Sequence, residues 1–127
     1  MKTILVDAVD TFVIEGEWIF REMYELLEEY KNPKMILTNA NKEQMKIFWL
    51  ENLPYPLFTL AHNPDKPDPK YFEIFLAKNK LGVEDVIYFE HNPAACKSAE
   101  SLWIKTHFYD AEKKGLQALK EFLDTYL

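Results

Sequence analysis

The stretch ILVDAVDTFV, Ile4 to Val13, is an apolar run that ends in an acid, passes a second acid and reaches a threonine. A strand buried on both faces of a parallel sheet reads as continuously apolar, and ligands of open α/β sheets bind outside the carboxyl ends of such strands. Asp7 therefore stands where a strand would open onto a site. An aspartate after an apolar strand also serves as a plain turn former. The rest of the chain decides between these readings.

Outward from this segment, short apolar runs alternate with amphipathic stretches. Thr3 to Val6 reads as a buried strand. Ile19, Met23, Leu26, Leu27 and Tyr30 recur at helical spacing, which predicts a helix over residues 15–30 that Asn32 and Pro33 end. Met35 to Leu37 is a second strand, and Asn41 is placed to cap a helix carrying Met45, Phe48 and Trp49 and ending before Pro54. Leu57 to Leu60 is a third strand candidate, followed by the proline-rich loop HNPDKPDPK. Phe72, Phe75 and Leu76 mark a helix ending near Gly82. Val86 to Phe89 is a fourth strand, and Pro93 suits the first turn of a helix running to about Leu102. A short fifth strand falls within 103–109, and the last helix carries Leu116, Leu119, Leu123 and Tyr126 on its inner face. Trp18, Trp49, Tyr55 and Trp103 read as core and rim residues; several of them exposed together would point to self-association.

Strands each followed by a helix predict a parallel sheet covered on both faces. A chain of 127 residues holds one domain with a real core, so 1–127 is expected as a single unit. The net charge of −6, a single arginine (Arg21) and no basic run argue against nucleic acid or an anionic membrane as partner. Cys96 is the only cysteine, which excludes an internal disulfide, and the first apolar run is too short for a signal peptide's core. The expectation is a cytoplasmic protein.

Four segments stand in order at the predicted strand ends: ILVDAVDTFV, MILTNAN, DKPDPKYF and VIYFEHNPAACKSAESLWIKT. In this order they resemble the haloacid dehalogenase-like (HAD) superfamily of phosphatases and related hydrolases, over nearly the whole chain. Lys66-Pro67-Asp68-Pro69 is the most specific of the four. The resemblance implies a three-layer α/β/α, Rossmann-like domain with a five-stranded parallel sheet in the order 3-2-1-4-5. It implies that Asp7 is the nucleophile, Thr38 the phosphoryl-binding hydroxyl and Lys66 the charge-neutralising lysine. Thr11, Thr38, Asn39 and Lys66 would bind substrate. A magnesium ion, where one binds, would be held by Asp7, the Val9 carbonyl, Glu90 and His91.

The chain departs from that pattern where chemistry is most demanding. Phosphatases of the superfamily carry a second aspartate two residues after the nucleophile to move a proton, and here that residue is Val9. Positioned acid–base catalysis is worth about 10²–10⁴-fold, so this loss alone is crippling. His91 stands where the fourth motif has an acid and Ala95 where it usually has another, and histidine is a poor ligand for magnesium. Lys66 is then the only matched cation facing a phosphate dianion.

Three readings follow. The first is a catalytically impaired or non-catalytic HAD-like protein kept as a binding or assembly module. The second is an active phosphomonoester hydrolase with rearranged metal ligands, in which a softer metal such as zinc or manganese would suit His91. The third is a metal-free dehalogenase-like hydrolase, because DAVDT approaches that branch's first motif and Asn92 falls where that branch has asparagine. No room exists for an inserted cap between Asp7, Thr38 and Lys66. The open site would suit a small phosphorylated molecule, a macromolecule or a second copy of the chain.

Overall fold

The computed structural model describes residues 1–127. Its centre is β1 (Thr3–Asp7), which pairs in parallel with β4 (Lys34–Thr38) on one side and β6 (Val86–Glu90) on the other. β5 (Leu57–Thr59) extends the sheet beyond β4, and β7 (Lys105–Phe108) extends it beyond β6. The order β5-β4-β1-β6-β7 is the expected 3-2-1-4-5 arrangement of a Rossmann-like parallel sheet. All four pairings are parallel, so every strand delivers its carboxyl end to the same edge.

Alternation along the strands makes two cores. Ile4, Val6, Ile36, Ile87 and Phe89 face one layer, where Met23 and Leu27 of α1 (Arg21–Glu28) and Leu119 and Leu123 of α5 (Leu116–Tyr126) meet them. Leu5, Leu37, Val86 and Tyr88 face the other. There Tyr71, Phe72 and Phe75 of α3 (Lys70–Asn79) and Ala99 of α4 (Pro93–Glu100) close the core. Full burial of each large side chain contributes about 1.5–3 kcal/mol, so both layers hold the sheet firmly.

Local signals explain the helix starts near the site. Asn41 caps α2 (Lys42–Ile47) reciprocally: its side chain accepts from the Gln44 amide at 2.9 Å, and the Gln44 side chain accepts from the Asn41 amide at 3.0 Å. Asn92 caps α4 by accepting from the Ala94 amide at 2.9 Å, with Pro93 in the first turn.

Several expectations need correction. The helix read over 15–30 begins only at Arg21. Before it lies a small antiparallel hairpin of β2 (Val13–Ile14) and β3 (Trp18–Ile19). Gly16 turns it with φ of 83°, and Trp18 follows at φ of 70°, a left-handed conformation that a continuing helix cannot contain. The second helix ends at Ile47 because the backbone turns left-handed at Trp49. α3 ends at Asn79 through a left-handed Lys80, near Gly82 as expected. The tryptophans are not core residues: Trp18 and Trp49 are exposed beside one another, joined by a 3.2 Å bond from Trp18 Nε1 to the Trp49 carbonyl, and Trp103 is 87% exposed. Tyr55 is half-buried against Phe12 and Tyr24. Tyr126 is also exposed, beside Phe122 and beneath the Lys105 ammonium. No helix is long and apolar enough to cross a membrane.

Candidate functional site

Chain direction through the sheet reverses at β1: two strands are added on one side before β6 and β7 are added on the other. The crevice between the tips of β1 and β6 is the topological switch point, where ligands of such sheets bind. Asp7 ends β1 and Glu90 ends β6, so the two carboxylates face this crevice. After Asp7 the chain curls back, and the Ala8 carbonyl accepts from the amides of Thr11, Phe12 and Val13. That curl brings the buried Thr11 hydroxyl onto Asp7 Oδ2 at 2.7 Å. Asp10, at φ of 68°, lines a neighbouring depression with Tyr109 and Lys114 instead of the cleft around Asp7.

Two cations close a ring with the two carboxylates. Lys66 Nζ lies 2.5 Å from Asp7 Oδ1 and 2.8 Å from Glu90 Oε1. His91 Nδ1 bonds Asp7 Oδ2 and lies 3.3 Å from Glu90 Oε2. Each carboxylate thus offers one oxygen to the lysine and the other to the histidine. Additional donors complete the set: the Tyr88 hydroxyl bonds Glu90 Oε1, and the Asn92 amide reaches Glu90 Oε2 at 3.1 Å. Asp7, Lys66 and Glu90 are buried, while the His91 side chain keeps 31% exposure toward the cleft. Buried charges survive only when paired and hydrogen-bonded, and this ring satisfies both conditions.

Charge states follow from the ring. Burial alone would raise the Asp7 carboxyl, but Lys66 and His91 outweigh it and hold it well below the usual carboxylate range. Burial works against the Lys66 ammonium, yet Asp7 and Glu90 keep it protonated far into the alkaline range. Hydrogen bonds to Asp7 and Glu90 push His91 up to about 10, so its ring is a cation at neutral pH. Desolvation, reinforced by Glu90, pushes the Tyr88 hydroxyl well above its usual value, leaving it a donor.

The remaining predicted residues surround this ring. Thr38, Asn39, Lys66, Glu90, His91, Val9 and Asp7 all line one open cleft of about 220 Å³, together with Gln44, Phe48 and His62. The Thr38 hydroxyl accepts from the Ala40 amide at 3.2 Å, and its carbonyl accepts from the Tyr71 hydroxyl at 2.8 Å. Asn39 anchors the lysine loop by accepting from the Lys66 amide at 2.7 Å. Sequence reasoning missed Tyr88 and His62. Tyr88 was legible in principle, since residues two apart on a strand share a face and Glu90 follows it at that spacing. His62 sits on the cleft rim between Asp65 at 2.8 Å and Gln44 at 2.5 Å, and no local pattern announces it. Beside Lys66, the expected cation, His91 brings a second basic side chain onto Asp7.

No protein-family model matches the sequence, and no curated protein matches it. Solved structures do. A HAD family enzyme from Bacteroides thetaiotaomicron, solved with magnesium and inorganic phosphate, superposes with a TM-score of 0.64 at 18% identity over 80% of this chain. An aspartate-to-alanine variant of that enzyme gives the same score and identity. The fold is that of the haloacid dehalogenase-like hydrolases. The chain spans only 58% of the length of the Bacteroides variant and 57% of the wild-type enzyme. By contrast, the core domain of a candidate phosphoglycolate phosphatase from Streptococcus pneumoniae matches almost end to end. It covers 98% of this chain and 97% of its own length, with a TM-score of 0.64 and 17% identity.

Magnesium in the Bacteroides enzyme raises the question of whether this HAD-like cleft suits the ion. Ligand atoms of Asp7, Glu90 and His91 do lie within 4.8 Å of one another. Their chemistry does not suit magnesium, which demands oxygen donors in near-octahedral geometry. One of the three donors is a histidine nitrogen, and the His91 Nδ1 atom already faces both carboxylates. The facing carboxylate oxygens are likewise engaged by Lys66, Thr11, Tyr88 and the Asn92 amide.

Proposed function

We propose that the chain is a HAD-like protein that has lost efficient phosphoester hydrolysis and retains the fold as a binding or assembly module with an open strand-tip cleft. The observation that carries this reading is that both carboxylate oxygens of Asp7 are already held by donors. An ionised carboxylate offers about four lone-pair sites. Three donors already hold Asp7: Lys66 on Oδ1, and Thr11 and His91 on Oδ2. Lys66 and His91 also hold its pKa below normal, which lowers its basicity. Valine at position 9 cannot protonate a leaving oxygen or activate water. The ring of two carboxylates and two cations is neutral as a whole, so it offers an incoming dianion little net attraction.

The test is phosphate release from a generic phosphomonoester with magnesium, for the wild-type protein against Asp7→Asn. Equal background rates are expected. A clear excess in the wild type would reject the reading.

A second reading rests on the proximity of Asp7, Glu90 and His91. A mixed nitrogen and oxygen donor set suits zinc or manganese better than magnesium, and would make the protein a weak phosphatase with rearranged ligands. Repeating the assay with those metals tests it, and no Asp7-dependent rate with either would exclude it.

A further inference from the structure

We infer that the His91 ring fills the position that a divalent cation would take beside Asp7, so that the cleft is a metal-independent site. The inference deepens the reading proposed above and rests on the same cluster of side chains; the experiment below separates the two.

Each of the two nitrogens holds its own pair of carboxylate oxygens. Lys66 Nζ joins Asp7 Oδ1 to Glu90 Oε1, at 2.5 and 2.8 Å. His91 Nδ1 joins the other pair, Asp7 Oδ2 and Glu90 Oε2. A metal bridging the tips of β1 and β6 would need that second pair of oxygens, and the imidazole already sits between them. Its hold is reinforced from both sides, by the Thr11 hydroxyl on Oδ2 of Asp7 and the Asn92 amide on Oε2 of Glu90. Two carboxylates this close would repel strongly without positive charge between them. A dication would meet that need from outside. Here two side chains of the same chain meet it, one from the loop before α3 and one from the β6–α4 connection. Glu90 and His91 thereby make sense together: the acid at the strand tip supplies the second pair of oxygens, and the imidazole beside it lies between Oδ2 of Asp7 and Oε2 of Glu90.

The experiment is calorimetric titration of the purified full chain with magnesium chloride, paired with a thermal melt in the same salt. For the wild type, no saturable heat and no shift in Tm at millimolar magnesium are expected. His91→Asp takes the imidazole from between the two oxygens and adds an oxygen donor, so it should bind magnesium at least about tenfold more tightly and gain Tm on addition of the ion. If His91→Asp does not fold, His91→Asn replaces it with the same expectation. Saturable magnesium binding by the wild type overturns the inference, as does a failure of either folded variant to gain affinity. The paired activity assay keeps the two ideas apart. Asp7-dependent turnover without magnesium binding sinks only the non-hydrolysing reading, whereas magnesium binding without turnover sinks only the inference drawn here.

Discussion

The Nδ1 atom of His91 and the Oδ2 atom of Asp7 are hydrogen-bonded partners across 84 residues of sequence. The bond couples the tip of the central strand to the first residue after β6, across the crevice where the sheet's connectivity reverses. It also links stability to proton concentration.

His91 titrates near 10 in the folded chain against 6.5 when unperturbed. A group whose folded pKa is raised contributes stability that is complete below its unfolded value and is lost as pH rises through the folded one. Stability should therefore fall between about pH 6.5 and pH 10. The slope is at most about 1.4 kcal/mol per pH unit, reduced because the ring is partly exposed. Asp7 behaves oppositely: its depressed pKa contributes stability present above about 3.8 and lost progressively in stronger acid. Urea midpoints across this range should show the alkaline fall in the wild type and a much flatter profile in His91→Gln.

Lys66→Met leaves Asp7 and Glu90 facing each other with half their positive charge removed. Breaking one partner of a buried ion pair costs about 3–5 kcal/mol, and that loss is expected here by chemical denaturation. A loss below about 1 kcal/mol would show that the cleft is wetter than its burial implies.

Val9→Asp restores a carboxylate at the proton-transfer position, but by itself should give no measurable phosphatase rate, because Asp7 remains held by three donors. Combining it with His91→Asp should give an Asp7-dependent rate with magnesium, rising toward the 10²–10⁴-fold range of acid–base catalysis. Single-variant activity equal to that of the double variant would show that His91 is no obstacle.

Phe72 is fully buried between Tyr71 and Tyr88, with ring centroids 5.2 and 5.4 Å away. Phe72→Ala should cost about 3–5 kcal/mol, like other aromatic truncations in cores. It should also loosen Tyr88 and hence the carboxylate of Glu90. Hydrogen exchange along β6 would report both effects, with faster exchange expected from Tyr88 to Glu90.

The three central strands were legible because burial on both faces leaves an almost uninterrupted apolar run, as in Ile4 to Val6 and Val86 to Phe89. Asn41 was readable as a cap because capping is local chemistry. The hairpin before α1 was hidden: Ile19 and Met23 fit helical spacing equally well, and only the left-handed backbone at Gly16 and Trp18 separates the two outcomes. The candidate site was legible as a set of strand-tip residues, but not as a closed ring. Which oxygen Lys66 or His91 holds depends on contacts spanning 59 and 84 residues, and no periodicity encodes those.

All three indoles of this chain face water: Trp18 is 44% exposed, Trp49 52% and Trp103 87%. Trp103 is therefore already a solvated fluorophore in the native protein, while Trp18 and Trp49 are about half covered, so denaturation will shift the emission only in part. Folding experiments on this molecule should follow ellipticity or tyrosine absorbance, while the same indoles become sensitive beacons for anything that docks over them.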